Sequence, residues 1–328
     1  MIDLAGKKIL FIGPKYYDYH TNIIQKMESF GASVDYYPEM VNNFAQRAAK
    51  IIKGTFRKWI QQRYLNVILE KIASQRYDIF FLIRGEIITP EFIEKIKSSS
   101  PDAYCVMYQW DSVTHNNYLS KLPYFNQIST FDKTDAKKYK INYLPLFYTD
   151  HYKNIAYSTL ETTYDIVFFG AYHSDRLQII KQIDKHAKEQ NLNFYHHLYI
   201  TKFSLFRGLL TGVIKKTDLP FFKTFTVPSF TIQNVYSQTK AVLDIEMKNQ
   251  NGLTIRTLEV LGSNLKLITT NANITDEPFY DSKRIMILDR KKIKLDSSFF
   301  ENNLVWDTEI EQYHIDNWLS NIFSKEAA

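Results

Sequence analysis

Glycine, arginine and glutamate stand at spacings of four and three in NGLTIRTLEVLG, as Gly252, Arg256 and Glu259. On a helix of 3.6 residues per turn those spacings put all three on one face. A small residue at a helix N-terminus lets backbone N–H groups approach phosphate oxygens, and Arg256 can add charge-assisted bonds to a diphosphate. Glu259, further along, is placed to accept from both hydroxyls of a ribose. The expected nucleotide-binding set is therefore Gly252, Leu253, Thr254, Arg256 and Glu259, with Asn271 closing the strand that follows. The other reading of Arg256 and Glu259 is an intrahelical ion pair on a solvated face.

A second candidate loop follows YDIVFFG, where AYHSDR leads into a helix. Ser174 is read as the cap of that helix, with Arg176 in its first turn. A cation there opposes the macrodipole unless an anion is bound beside it. Gly170, Tyr172, His173, Ser174 and Arg176 are accordingly candidates for phosphate contact, against the alternative of an exposed arginine on a capped helix.

Taking a proton from an acceptor hydroxyl requires a base. Asp111, Glu86 and His20 each follow a strand-like run and rank in that order, while Asp132 reads better as a helix cap. Asp111 and Trp110 could equally form a wall for a sugar. The eight histidines show no HExxH-type spacing, and His196 and His197 are adjacent and would point apart on a strand, so no metal site is expected.

These residues need elements to hold them. KKILFIG reads as a strand, Thr21 to Phe30 as a helix stopped by Gly31, and Ala32 to Tyr37 as a second strand. Further strand-like runs are Tyr77–Ile83, Ala103–Trp110, Phe125–Phe131, Tyr164–Gly170, Asn193–Ile200, Ala241–Ile245, Leu265–Thr270 and Arg284–Leu288. Continuous apolar runs alternating with helices predict parallel sheets covered on both faces. The polar stretch from Tyr148 to Thr163 suggests a domain boundary near residue 150, and 328 residues suit two domains. Ligands of such sheets bind beyond the carboxyl ends of the strands.

Composition is that of an ordinary globular protein, with 45% apolar and 23% charged residues, which argues against disorder and fibrous repeats. A single cysteine, Cys105, excludes an internal disulfide. Neither a signal peptide nor an 18-residue apolar span is read, so a cytoplasmic location is expected. The net charge of +6 favours anionic partners.

Between Val41 and Ile72 an apolar stripe (Val41, Phe44, Ala48, Ile51, Ile52, Phe56, Trp59, Ile60, Val67 and Ile68) is flanked by Arg47, Lys50, Lys53, Arg57, Lys58 and Arg63. Such a helix over 41–64 would suit an anionic membrane surface, or would pack on the sheet with a solvated basic face. Residues Leu205 to Phe230 combine aromatics, lysines and two prolines, and read as a membrane- or acceptor-contacting insertion or as a buried connector.

The segment GLTIRTLEVLG…KLITTNANI…EPFY resembles the nucleotide-sugar site of GT-B glycosyltransferases, and in particular the CgeB-like group of bacterial capsule and lipopolysaccharide enzymes. QWDS, STFDKTDAKKY, YLPLFY and DIVFFGAYHSDR extend the resemblance over most of the chain. It implies an α/β architecture of two doubly wound Rossmann-like domains facing across a cleft. Residues 1–150 would bind the acceptor and 151–310 the nucleotide sugar, with a helix over 311–328 crossing back to the first domain. It also gives Glu259 the donor ribose, favours a UDP-sugar as substrate, and implies a glycan or lipid-linked acceptor with transfer that needs no cofactor. No acidic residue lies eight before Glu259, so the pattern of many retaining members is absent. The competing class is a two-domain binding module resembling periplasmic binding proteins. No nucleic-acid motif is recognised, and nucleic acid is not an expected partner.

Overall fold

The structure is a computed structural model describing residues 2–40, 55–156, 160–247, 252–301 and 308–324. The chain forms two compact units, one of Met1–Pro145 with Ile315–Ala328, the other of Leu146–His314.

Unit 1 contains β1 (Lys8–Gly13), α1 (Tyr19–Ser29), β2 (Ser33–Pro38), α2 (Thr55–Ile72), β3 (Ile79–Ile83), α3 (Pro90–Ser99), β4 (Tyr104–Gln109), β5 (Gln127–Thr130), α4 (Lys133–Tyr139) and β6 (Asn142–Tyr143). All its strand pairs are parallel, in the order β2-β1-β3-β4-β5-β6. β3 is buried at every position, as a parallel strand covered on both faces should be. Thr89 caps α3 with Pro90 behind it, and Asp132 caps α4 by accepting from the Thr134 and Asp135 amides. Asp132 is thus a cap, as its sequence context suggests.

Unit 2 contains α5 (Asp150–Ile155), β7 (Tyr164–Ala171), α6 (Arg176–Glu189), β8 (Phe194–Tyr199), α7 (Lys202–Leu210), β9 (Phe222–Lys223), α8 (Ser229–Tyr236), β10 (Thr239–Asp244), α9 (Ile255–Gly262), β11 (Lys266–Thr269) and β12 (Ile285–Ile287). Its sheet is also parallel, ordered β12-β11-β10-β7-β8-β9. Renumbered within the unit that is 6-5-4-1-2-3, the doubly wound dinucleotide-binding order, whose direction of winding reverses between β7 and β10. In unit 1 the reversal falls between β1 and β3. The two-residue strands β6 and β9 escape a sequence reading because they are too short to show a period.

After unit 2 the chain ends in α10 (Ile315–Phe323), which belongs to unit 1. Trp318 is buried edge-on against Tyr108 with ring centroids 4.9 Å apart, and Phe323 meets Phe81 at 5.2 Å. Gln127 donates to the Asn321 carbonyl at 2.6 Å.

The helix expected over 41–64 is described from Thr55; its residues 41–54 lie outside the described ones. Its inward side chains are Leu65, Ile68 and Ile72, whereas Phe56, Trp59 and Val67 are exposed. Of the expected stripe, Phe56, Trp59 and Val67 therefore lie on the face left exposed, roughly opposite the packing face, and only Ile68 joins the buried side chains.

Gly262 closes α9 for a steric reason. A Cβ there would lie 2.4 Å from the ring of Tyr148, which is wholly buried. The left-handed residue past the helix is Asn264, with φ of 55°. Gly262→Ala should lower stability by roughly 1–3 kcal/mol through overpacking, read as a fall in denaturation midpoint; an unchanged midpoint would show that Tyr148 moves freely.

Candidate functional site

In unit 2 the two reversing strands end side by side, β7 at Gly170–Ala171 and β10 at Asp244. Arg176, the first residue of α6, spans them. Its Nε donates to the Ile245 carbonyl at 2.9 Å and Nη2 to the same oxygen at 2.5 Å, while Nη1 donates to the Ala171 carbonyl at 3.0 Å. The cation in a first turn thus meets carbonyl dipoles and is buried on them. Its position does not require a bound anion, which corrects the inference drawn from its place in the helix. Gly170 makes this possible, since a Cβ there would come within 2.9 Å of Nη1.

Ser174 does not cap α6. It adopts a left-handed backbone with φ of 50°, and Asp175 takes the cap position without a side-chain cap bond. Asp175 instead pairs with Arg290 at 2.7 Å. Tyr172 stacks edge-on against Phe222 at 5.1 Å and packs on the core. His173 stands among cations, and burial first, then Arg176, pushes its imidazole down to about 4, with Asp175 opposing.

The helix expected from Gly252 begins three residues later, at Ile255. Thr254 is extended and its hydroxyl accepts from the Thr257 amide, which fixes the start. Gly252 therefore lies ahead of the helix rather than on a shared face, and its carbonyl accepts from Asn271 Nδ2 at 3.4 Å. The Asn271 carboxamide oxygen also accepts from the Asn273 amide. Leu253 is buried. Arg256 and Glu259 are the pair that α9 does carry.

Below them lies a buried acid that the sequence reading passed over. Asp244 accepts from the Thr254 hydroxyl at 2.5 Å and the Thr257 hydroxyl at 3.1 Å, and Arg256 Nη1 lies 3.7 Å from its other oxygen. Glu246, also buried, takes Arg290 at 2.6 Å and the Thr270 hydroxyl at 2.5 Å. Glu259 is 5% exposed and accepts from the Tyr152 hydroxyl; burial, then Glu259, raises that phenol well above its ordinary range. Tyr236, buried beside them, is hydrogen-bonded to Arg256. The carboxyl end of the unit 2 sheet is thus lined by Arg256, Glu259, Asp244, Glu246, Arg290 and His173. Glu246 and Arg290 follow β10 and β12, so inspecting the residues after each strand end would have found them, whereas Asp244 is the last residue of β10 and lies inside the expected strand.

Unit 1 carries a separate cluster where its own winding reverses. Arg84 follows β3 with φ of 64°, a conformation a non-glycine residue holds only when its neighbours fix it. Its carbonyl accepts from Gln109 and Asn116, each at 3.0 Å, and the next carbonyl, of Gly85, accepts from Lys121. The guanidinium so held gathers three carboxylates: Glu39 at 2.6 Å, Glu86 at 2.7 Å and Asp111 at 3.8 Å. Glu39 is buried and was missed, although it directly follows β2, a strand-end position like those of Glu86 and Asp111. Burial also pulls the Lys121 ammonium down to about 8, against Glu39 and Glu86.

Two of the three expected bases therefore meet. Asp111 is partly open, and burial pushes its carboxyl above the ordinary aspartate range against the opposing pull of Arg84 and His115. Glu86 is held close on Arg84. His20 is not part of this group; it lies in the first turn of α1 with its ring 5.2 Å from Tyr36, and burial lowers its pKa.

No family model matches the chain, and no curated protein matches it in sequence. Solved structures do match along its length. An OtsA apo structure aligns with a TM-score of 0.64 at 8% identity, covering 97% of this chain and 99% of the other. The apo form of the lipopolysaccharide outer core galactosyltransferase WaaB gives 0.54 at 11% identity, with 97% and 99% covered. The UDP-GlcNAc 2-epimerase of Methanocaldococcus jannaschii, in complex with UDP-GlcNAc and UDP, gives 0.52 at 9% identity, with 96% and 99% covered. With its two parallel six-stranded sheets, the chain has the two-domain, Rossmann-like GT-B fold.

Proposed function

We propose that the chain is a glycosyltransferase that takes a hexosyl group from a nucleoside-diphosphate sugar, UDP-linked in the favoured case, and passes it to a hydroxyl of a surface-polysaccharide or lipid-linked acceptor. The observation that carries the reading is Glu259. It is a carboxylate on the first helix after the strand at which the unit 2 sheet reverses, the position from which such sheets reach a nucleotide. Tyr152 donates to it, and ribose hydroxyls would donate to the same carboxylate. Arg256, one turn earlier, would face the diphosphate. The end-to-end match to enzymes that include one crystallised with UDP-GlcNAc and UDP supports the same ligand class.

In this reading unit 1 supplies the base. Asp111 accepts the acceptor hydroxyl proton, the oxygen bonds to the anomeric carbon, and the nucleoside diphosphate leaves with the electron pair of the broken bond. Asp111 suits the task better than Glu86, because burial raises its pKa and it stands 3.8 Å from Arg84, whereas the Glu86 carboxylate is held on that guanidinium at 2.7 Å. Gly170, Tyr172 and Ser174 serve the loop's shape, and Gly252, Leu253, Thr254 and Asn271 shape the entry to α9. We place the chain near the CgeB-like enzymes on the strength of the segments quoted from its sequence.

The test is mass spectrometry of sugar-nucleotide turnover across UDP-, GDP- and CMP-sugars, with glycan and lipid-linked acceptors and with or without EDTA. Transfer from one donor that survives EDTA supports the proposal. An epimerised sugar nucleotide formed without acceptor would instead favour the chemistry named for the epimerase relative. Binding without any turnover would favour a non-catalytic module.

His173 gives an independent check. The free imidazole should titrate at about 4, and a bound diphosphate should raise that midpoint by stabilising the cation. An NMR titration with and without UDP measures it, and an unmoved midpoint removes His173 from the site. The lowered value also fixes a stability trend. An unfolded histidine titrates near ~6.5, so the contribution of His173 is full above that pH and is lost as pH falls through the folded value of about 4.

A further inference from the structure

α7 is apolar on two opposite faces. Leu205 and Leu209 pack inward on the unit 2 core, and Gly208 lies so close to Ile214 that a Cβ would meet that side chain at 2.5 Å. Phe203, Phe206 and Leu210, spaced by three and four along the helix, form the outer face and are 74%, 61% and 71% exposed. Val213, in the turn that follows, is 69% exposed. A surface helix in water carries polar residues on its outer face; one whose outer face is apolar as well has a second apolar environment.

The charges around this face have one sign. Lys202, Arg207, Lys215 and Lys216 are all exposed. The only acid between residues 201 and 230 is Asp218, which is buried and paired with Lys181 at 2.7 Å. A second copy of this chain would bring the same four cations against these, so self-association is opposed by charge. An anionic bilayer answers both features. Its acyl boundary accepts the aromatic and aliphatic side chains while its headgroups accept the cations.

We propose that the outer face of α7, with Val213, seats unit 2 on an anionic lipid bilayer. The proposal is independent of the transfer chemistry, though a lipid-linked acceptor would be found on such a surface. Co-sedimentation of the full chain with vesicles of phosphatidylcholine, alone or mixed with phosphatidylglycerol, tests it. Binding should require phosphatidylglycerol and weaken with salt. Phe203→Ser with Phe206→Ser and Leu210→Ser should lower partitioning at least about tenfold, and replacing the four cations by glutamine should lower it too. These side chains are exposed, so melting temperatures should hold, which separates lost binding from lost folding. Unchanged partitioning of the triple variant would overturn the proposal. So would binding abolished only by Phe56→Ser with Trp59→Ser on α2, or a dimer in solution that the triple variant dissolves.

Discussion

Asp111→Asn should reduce kcat by about 10²–10⁴-fold, the range that removal of a general base costs, and leave the donor KM unchanged. Asparagine keeps the shape of the side chain and removes only its ability to take the acceptor proton. Arg84 keeps Glu39 and Glu86 in the variant, so the cluster that positions it survives. The wild-type rate should fall on the acid side as Asp111 becomes protonated, at a pH above that of an ordinary aspartate because burial raises its pKa. Glu86→Gln should cost far less, since that carboxylate serves Arg84. A near-wild-type rate in Asp111→Asn, or a greater loss in Glu86→Gln, would move the base elsewhere.

Arg176→Leu should destabilise unit 2 by about 2–6 kcal/mol, because two backbone carbonyls at the switch point lose their donors at roughly 1–3 kcal/mol for each buried unsatisfied group. The same guanidinium lies over Phe168 at 5.8 Å, and that contact is lost as well. Arg176→Lys should recover little, since one ammonium does not reproduce a planar fork that reaches Ile245 and Ala171 together. Denaturant unfolding measures the effect. A stable Arg176→Leu protein that has lost only nucleotide affinity would restore the phosphate role expected from its place in α6.

The particular residues show what sequence can and cannot reveal. The buried strands were legible because a parallel sheet covered on both faces leaves continuous apolar runs, as in Ile79–Ile83. Asp111 and Glu86 were legible because both follow such strands, yet their meeting on Arg84 is a tertiary fact that no local spacing encodes. Arg176 misled because a cation opposing a helix dipole can be satisfied by carbonyls distant in sequence, and Ile245 is one of them. Gly252 misled because Thr254, an extended cap, delays the helix beyond it. Glu39 follows β2 directly and so was open to the same reading, but its burial against a partner 45 positions away is a tertiary fact.

The central claim is that unit 2 holds a nucleoside diphosphate through Glu259, and calorimetric titration of UDP into the wild-type chain and Glu259→Gln tests it most directly. Glutamine preserves the volume at this buried position and can still accept from Tyr152. Losing hydrogen bonds to a charged acceptor, worth about 1.5–3 kcal/mol, should weaken UDP by roughly 10- to 150-fold with the melting temperature little changed. Equal affinities in the two proteins would contradict the account.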